Sequence, residues 1–575
     1  MCSSDLLVIA ILVRRSRHRP RRPVAVALAL AVLVVALVAV GLVVRGRATA
    51  AAGPAPRFTD VTATSGVDHT YGGPFVYAVG GGVTVFDCDG DGRPDLYLAG
   101  GEQPGELFRN ASTPGSIRFT AVRDPAVELD AVNGAYAIDI DSDGRPDLVL
   151  LRNGENVVLR NTGNCTFERA NEAWGLDGGT QLTEAFSATW EAGQSWPTLA
   201  FGNYADPASK DFETWCEPNE LVRPAGAAAG GAAVATGFGA PTKLEPSFCA
   251  LSMLFTDWDG TGRRDLRVSN DVQYYDPAKG NEQLWQVLPG AAPRLYGAAE
   301  GWPTVHIEGM GIASYDLDGD GRPEVYLTSQ SASKLQTVTA SAAPGDPAYT
   351  DIGLARGVNV AHPFMGDDMD LPSTAWHPEF ADVNDDGLID LFVSKGNVTS
   401  QPDYAIQDPS NLLLGQPDGT FKEAADAAGI VTFDRGRGAA LVDLDLDGRL
   451  DLVEAFSNAP LRIWRNGGPA DAAAAASAHW LAVRVRQPAP NVDAIGGWLE
   501  VRSGSTTWRR ELTIGGGHAG GQLGWIHVGL GSATTVEVRV RWPDGTAGPW
   551  QSVSSNAFVV VDRATGTQPW TPPAA

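Results

Sequence analysis

Positive charge is scarce in this chain. Lys and Arg number 43 against 68 Asp and Glu over 575 residues, a net charge of −25. With no basic surplus to neutralise phosphates, nucleic acid is excluded as a partner. Also missing are the phrases that accompany several common chemistries: there is no Gly-x-Ser-x-Gly elbow, no His-Glu-x-x-His zinc motif and no phosphate loop. Cysteine is sparse, at Cys2, Cys88, Cys165, Cys216 and Cys249. In an exported chain the last four allow two bridges, with Cys216 and Cys249 bracketing one insertion; the other reading is buried free thiols. What is plentiful, 67 Gly and 16 Trp, suits short strands and tight turns rather than long helices.

The most informative stretch is Asp87-Cys-Asp89-Gly-Asp91-Gly92-Arg-Pro-Asp95, and its spacing recurs from Asp139, Asp257, Asp316, Asp382 and Asp443. Positions 1, 3, 5 and 9 carry oxygen side chains in every copy. They are Asp87, Asp89, Asp91 and Asp95; Asp139, Asp141, Asp143 and Asp147; Asp257, Asp259, Thr261 and Asp265; Asp316, Asp318, Asp320 and Glu324; Asp382, Asn384, Asp386 and Asp390; Asp443, Asp445, Asp447 and Asp451. Calcium takes roughly six to eight oxygens, and alternate residues of a tight turn can aim carboxylates at one centre. Position 7 (Arg93, Arg145, Arg263, Arg322, Leu388 and Arg449) is expected to add its backbone carbonyl, and Gly at position 6 of all six copies permits a backbone angle that strains other residues. Up to six Ca2+ are expected.

An EF-hand shares these early ligands but closes with Glu at position 12 between two helices. Here position 12 is Leu or Val in five copies, and only the sixth has Glu454. Flanks such as Val83-Thr-Val85 and Leu96-Tyr-Leu98 alternate with period two, so the sites lie between strands. Glu454 itself is expected either to face a central channel or to have a buried partner.

The loops start 52, 118, 59, 66 and 61 residues apart. Inside the double-length gap, Ser187 to Leu199 aligns with Tyr136 to Leu148, a further copy stripped of its ligands. Leu107-Phe-Arg-Asn110, Leu159-Arg-Asn161 and Trp464-Arg-Asn466 follow loops, and Phe58-Thr-Asp-Val61 and Phe119-Thr-Ala-Val122 mark another strand of each module. The fold class predicted is all-β: a seven-bladed β-propeller over residues 57–467, closed by the strand at Phe58 completing the last blade. The stretch His362 to His377, with Asp367, Asp368, Asp370 and Trp376, reads as a solvated acidic loop or as a separate ligand site.

Residues 1–23 are basic and 24–44 form an uncharged apolar run of 21 residues, long enough for a membrane helix. Six Arg between Arg14 and Arg22 place the N-terminus in the cytoplasm, giving a single-pass membrane protein with its bulk outside. Ala48-Thr49-Ala50 allows the alternative of a cleaved secretory signal. Residues 45–56 are a linker, 468–478 an Ala-rich linker, 479–563 a small β-sandwich-like domain and 564–575 a disordered tail.

Gly80 to Asp87 and Gly309 to Asp316 resemble the FG-GAP or VCBS repeats of integrin α-subunit propellers. Asp493-Ala-Ile-Gly496, His527-Val-Gly-Leu-Gly531 and Arg541-Trp-Pro-Asp-Gly545 resemble the ASPIC/UnbV domain, and the pairing is similar to the cartilage acidic protein family and its bacterial relatives. The resemblance implies calcium in the blade hairpins of a fold that serves many functions; the function expected first is a non-enzymatic extracellular adhesion or ligand-binding module, its partner a protein or glycan. No Cys-rich EGF-like module follows, so a matrix role is not carried over. The competing functions are a propeller enzyme acting on extracellular polysaccharide, as lyase or hydrolase, and an accessory protein in natural-product biosynthesis.

Overall fold

A computed structural model describes residues 52–208, 216–226, 236–271, 280–340, 342–343 and 345–573. Among these the architecture is all-β. Seven antiparallel sheets of four strands, one with a short fifth, occupy residues 56–469. Their inner strands are Val83–Phe86, Val132–Ile138, Leu182–Thr189, Ala250–Thr256, Gly309–Tyr315, Ala375–Ala381 and Gly436–Val442. Each packs against the inner strands of the sheets before and after it, and the last packs against the first. This arrangement is consistent with a propeller.

The sequence explains the packing. Inner strands lie between two neighbours, so residues of both parities are buried, as in Val132–Ile138 throughout. Cores form between the faces of adjacent sheets: Phe86 and Tyr97 meet Leu148 and Leu150, and Val83, Val85 and Leu96 meet Ala440, Val442 and Val453 across the first and last sheets. The N-terminal strand Pro56–Asp60 pairs with Ala459–Pro469, Phe58 opposite Asn466, the expected closure. The copy without ligands is also a hairpin, Leu182–Thr189 with Thr198–Ala205. Both disulfides form, Cys88–Cys165 and Cys216–Cys249.

Beyond the ring, the Ala-rich linker is not featureless. Ala472–Ala476 makes a helical turn whose first amides are capped by Asp471 at 2.9 Å. Two further four-stranded sheets then enclose a core of Leu481, Val483, Val501, Val538, Val540 and Val559. The tail expected to be disordered is corrected: Gly566–Trp570 is a strand paired with Ala557–Asp562, because Trp570 packs 4.8 Å from Trp525 and 5.5 Å from Phe558 between ring centres.

This second unit sits on the loop face of the ring, and the stretch between Glu511 and Ile526 descends through its middle. Ile514, Gly515, Gly517, Gly520 and Gln522 bridge to Ala188, Leu254, Ile312, Ala135 and Val85, each on a different inner strand. Backbones this close exclude side chains: a Cβ on Gly82 or Gly134 would overlap the Ala519 carbonyl.

The single-pass membrane placement is also corrected. Among the described residues no helix is long and apolar enough to cross a membrane, and the run 24–44 on which that placement rested lies outside them.

Candidate metal centres on the loop face

Each loop is held by its own side chains before any ligand is considered. The position 6 glycines, Gly92, Gly144, Gly262, Gly321, Gly387 and Gly448, all have φ between 85° and 90°, where an L side chain is strained. Their amides donate to the position 1 carboxylate of the same loop at 2.7 to 3.0 Å. Position 9 works as a buckle. One oxygen accepts the position 2 amide in five loops (Cys88, Ile140, Leu317, Val383 and Leu444) at 2.8 to 3.0 Å. In the third loop Asp265 instead accepts the Trp258 indole at 2.9 Å. The other oxygen reaches the third strand of the sheet through the amides of Asn110, Asn161, Val287, Gly415 and Asn466. Position 9 was expected as a ligand; its first visible task is to tie the loop to the sheet.

Three carboxylates converge within 4.8 Å in four loops: Asp87, Asp89 and Asp95; Asp139, Asp141 and Asp147; Asp316, Asp318 and Asp320; Asp443, Asp445 and Asp451. The loops at Asp257 and Asp382 do not bring three together. In the former, Asp265 turns to Trp258 and to the Tyr296 hydroxyl, and Asp259 accepts from Thr261. In the latter, Asp386 accepts from the Gly53 amide and from Asn384.

Position 7 also does more than its expected carbonyl would. Arg93, Arg145, Arg322 and Arg449 fold back to pair with the position 5 carboxylate, Asp91, Asp143, Asp320 and Asp447. Arg263, with Thr261 at position 5, pairs with Asp259 and Asp265, while Leu388 offers only its backbone. A second arginine approaches position 3, as Arg109 to Asp89 at 2.5 Å, Arg160 to Asp141 at 2.7 Å and Arg465 to Asp445 at 2.9 Å. These partners escaped the sequence reading, although the repeated Arg-Asn phrase contained them.

The carboxylates are crowded and dry. Burial pushes Asp139 up to about 7, with the charge of Asp493 adding to it. Burial likewise holds Asp443 and Asp451 well above the ordinary range, reinforced by neighbouring loop carboxylates. A cation relieves such repulsion. The donors are hard oxygens on a glycine-pivoted turn, a set that fits Ca2+.

The second unit touches all six loops. Arg484 pairs with Asp87 at 2.9 Å and Arg509 with Asp316 at 3.4 Å. The Trp498 indole donates to Asp257 at 3.3 Å, and the Asn491 amide to the Ser142 hydroxyl at 3.1 Å. His527 meets Asp385 at 2.7 Å, and the Trp480 ring covers Gly448 so closely that a Cβ would overlap it. Local sequence carries no signal for these contacts.

Of the remaining candidates, Glu454 has buried partners: its carboxylate accepts from Ser394 at 2.7 Å and Ser410 at 2.6 Å. In the 362–377 stretch Asp368 accepts the amides of Ile406 and Gln407 at 2.8 Å, and the buried Trp376 indole donates to the Gly396 carbonyl at 2.6 Å. Those groups brace the loop.

Two family descriptions match. "FG-GAP-like repeat" covers residues 87–150 and 382–454, and "ASPIC and UnbV" covers 487–568. The chain carries FG-GAP-like repeats followed by an ASPIC/UnbV domain. The repeat matches take in the first, second, fifth and sixth loops, and the ASPIC/UnbV match includes the stretch that descends through the ring. No curated protein matches. Among solved structures the chain is similar to an Agrocybe aegerita lectin described as recognising non-reducing terminal N-acetylglucosamine, at 15% identity over 67% of this chain and 80% of that one, with a TM-score of 0.28. It is also similar to BBS1N in complex with ARL6DN, at 10% identity over 72% and 99% with a TM-score of 0.41. A third is a Trichoderma reesei carbohydrate-active enzyme of family AA12, at 10% identity over 72% and 98% with a TM-score of 0.30. Likenesses at these scores say nothing of this chain's ligand or activity.

Proposed function

We propose that the chain is an exported, seven-bladed propeller of the cartilage acidic protein type, stiffened by calcium in its hairpin loops, that binds an extracellular protein or glycan without enzymatic chemistry. The observation that carries this reading is the gathering of three carboxylates within 4.8 Å in four separate loops of one repeat. In these four loops positions 1 and 3, joined by position 9 in three of them (Asp95, Asp147 and Asp451) and by position 5 in the fourth (Asp320), would hold the ion together with the carbonyl of position 7. Calcium would supply cross-linking of groups that otherwise repel, so folding and binding both depend on it.

Two disulfides support export, since such bridges persist in oxidising compartments. The alternative of an enzyme working in the channel is disfavoured by the Gly-rich stretch that bridges five of the seven inner strands there. Extracellular modules commonly bind calcium at roughly 0.1 to 1 mM, and the same range is expected here. Calorimetric melting in 2 mM-scale calcium, on the order of a few Kd, and in EDTA tests the metal: a lower melting temperature in EDTA is expected, and an unchanged one rejects the structural role. A surface-protein and glycan binding screen in calcium then tests the partner, and hydrolysis or elimination of a polysaccharide in that screen would establish the enzyme instead.

A further inference from the structure

The Arg-Asn phrase recurs three times, and in the structure its asparagines do one job. Asn110, Asn161 and Asn466 are buried, and each stands between two loops. The backbone amide donates to the position 9 carboxylate of its own loop: Asn110 to Asp95 at 2.7 Å, Asn161 to Asp147 at 2.9 Å and Asn466 to Asp451 at 2.8 Å. The side-chain amide donates to the position 2 carbonyl of the loop on the neighbouring sheet: Asn110 to Leu444 at 2.9 Å, Asn161 to Cys88 at 3.0 Å and Asn466 to Val383 at 2.9 Å. The position 2 residue is itself held, through its N–H, by the position 9 carboxylate of that neighbouring loop.

The result is an unbroken buried path. From Asp147 it runs through Asn161 and the Cys88 backbone to Asp95, through Asn110 and the Leu444 backbone to Asp451, and through Asn466 and the Val383 backbone to Asp390. Every link is a direct hydrogen bond. The asparagines cannot swing aside, because each side-chain oxygen also accepts the amide two residues on at 2.8 Å. The Cys88–Cys165 bridge ties the same two sheets covalently where Asn161 does so by hydrogen bond. Where the path is missing, so is the residue: the strand positions that donate to Asp265 and Asp390 are Val287 and Gly415.

We infer that Asn110, Asn161 and Asn466 are positioning residues that couple the sixth, first and second loops, with the fifth at the end of the path, into one cooperative calcium-binding unit, while the fourth loop, outside the path, binds on its own. This rests on the reading of the loops as calcium sites. Where an ion would draw in the carboxylates of one loop, the position 2 residue that the position 9 carboxylate holds would be the element displaced, and the asparagine that donates to its carbonyl would carry the displacement to the next loop. Each link is buried, where a hydrogen bond left unmade is costly, and a coupling free energy between sites is by necessity reciprocal.

Native mass spectrometry of the full chain titrated with CaCl2 counts the ions directly. Wild type is expected to pass from low to high loading with intermediates depleted, at a Hill coefficient of about 2 over the coupled sites. Asn110→Ser and Asn466→Ser keep an oxygen for the local turn but are too short to bridge the sheets; loading should spread toward the statistical distribution, with the midpoint raised roughly fivefold. Asn110→Asp keeps the shape and withdraws the donor, so it should behave alike if the serine variants fold poorly by circular dichroism. Asp318→Asn, outside the path, should lower the ion count without changing the cooperativity of the rest. Failure of wild type to take up calcium overturns the loop assignment itself. Statistical loading of wild type, or unchanged cooperativity in the asparagine variants, overturns the coupling and leaves the assignment standing.

Discussion

His518 lies with its ring centre 5.0 Å from that of Trp376, in the middle of the Gly-rich stretch that bridges the inner strands, and both side chains are fully buried. The His377 ring accepts the His518 amide at 3.2 Å, and the Arg437 guanidinium lies 4.0 Å over Trp376. Domain and ring therefore interlock at their centre, and not only along the loop face.

That interlock is acid-sensitive. Burial, then the charges of Arg437 and His377, hold the His518 imidazole down at about 3, whereas in the unfolded chain it takes a proton near 6.5. The unfolded state thus binds more protons between these values. The contribution of His518 is complete above about pH 6.5 and is lost as pH falls toward 3, by at most about 1.4 kcal/mol per pH unit. Urea unfolding at pH 7.5, 5.5 and 4.5 should show a shallower decline for His518→Gln than for wild type. Parallel declines would mean that the native imidazole protonates freely.

The position 6 glycines separate two costs. At Gly144 nothing lies within 4 Å of the point an added methyl would occupy, so Gly144→Ala bears only the left-handed backbone, with φ at 89°, about 1 kcal/mol. At Gly92 the same methyl overlaps the Trp570 ring, adding an overpacking cost of about 1 to 3 kcal/mol. Denaturant titration in EDTA should therefore rank Gly92→Ala well below Gly144→Ala. Equal losses would show that Trp570 does not rest on the first loop.

Much of this arrangement is legible in the sequence. Period-two flanks and the recurring carboxylates give the sheets and loops, and the unmatched Phe58 phrase gives the closure with Asn466. The rest depends on contacts between residues hundreds of positions apart. Nothing near Gly515 to Gly521 says that those glycines will face five inner strands, and nothing near Trp570 says that Trp525 and Gly92 await it. The bracing role of Asp95 and its equivalents was hidden for another reason: the same carboxylate that suits a cation also suits two backbone amides.

Glu454 gives the opposite pH dependence to His518. Burial raises its carboxyl to about 7 even though Ser394 and Ser410 donate to it. The native state keeps a proton that the unfolded chain releases near 4.5, so the contribution of this group is full below about pH 4.5 and is lost as pH rises toward 7. Glu454→Gln keeps an oxygen for the two serines and cannot ionise. It should match wild type at pH 4.5 and exceed it by about 3 kcal/mol at pH 8 in urea titrations. A difference that stays constant across that range would show the carboxyl ionising alike in both states.

The C-terminal strand offers the most direct test of how domain and ring hold together. Gly566–Trp570 completes a sheet, its Trp570 ring fills the space between Trp525 and Phe558, and the Pro573 carbonyl accepts from Arg93 of the first loop at 2.8 Å. Ending the chain after Thr565 removes all three contacts at once and leaves Trp525, whose indole donates to the Gly92 carbonyl at 2.8 Å, open to water. Loss of about 2 to 4 kcal/mol is expected, as for removal of a large packed side chain, with a red shift of tryptophan emission. Trp570→Ala should account for most of that loss, because the backbone ladder to Ala557–Asp562 survives it. If truncation costs stability but Trp570→Ala does not, the strand acts through its hydrogen bonds, and the first loop is not clamped by the ring.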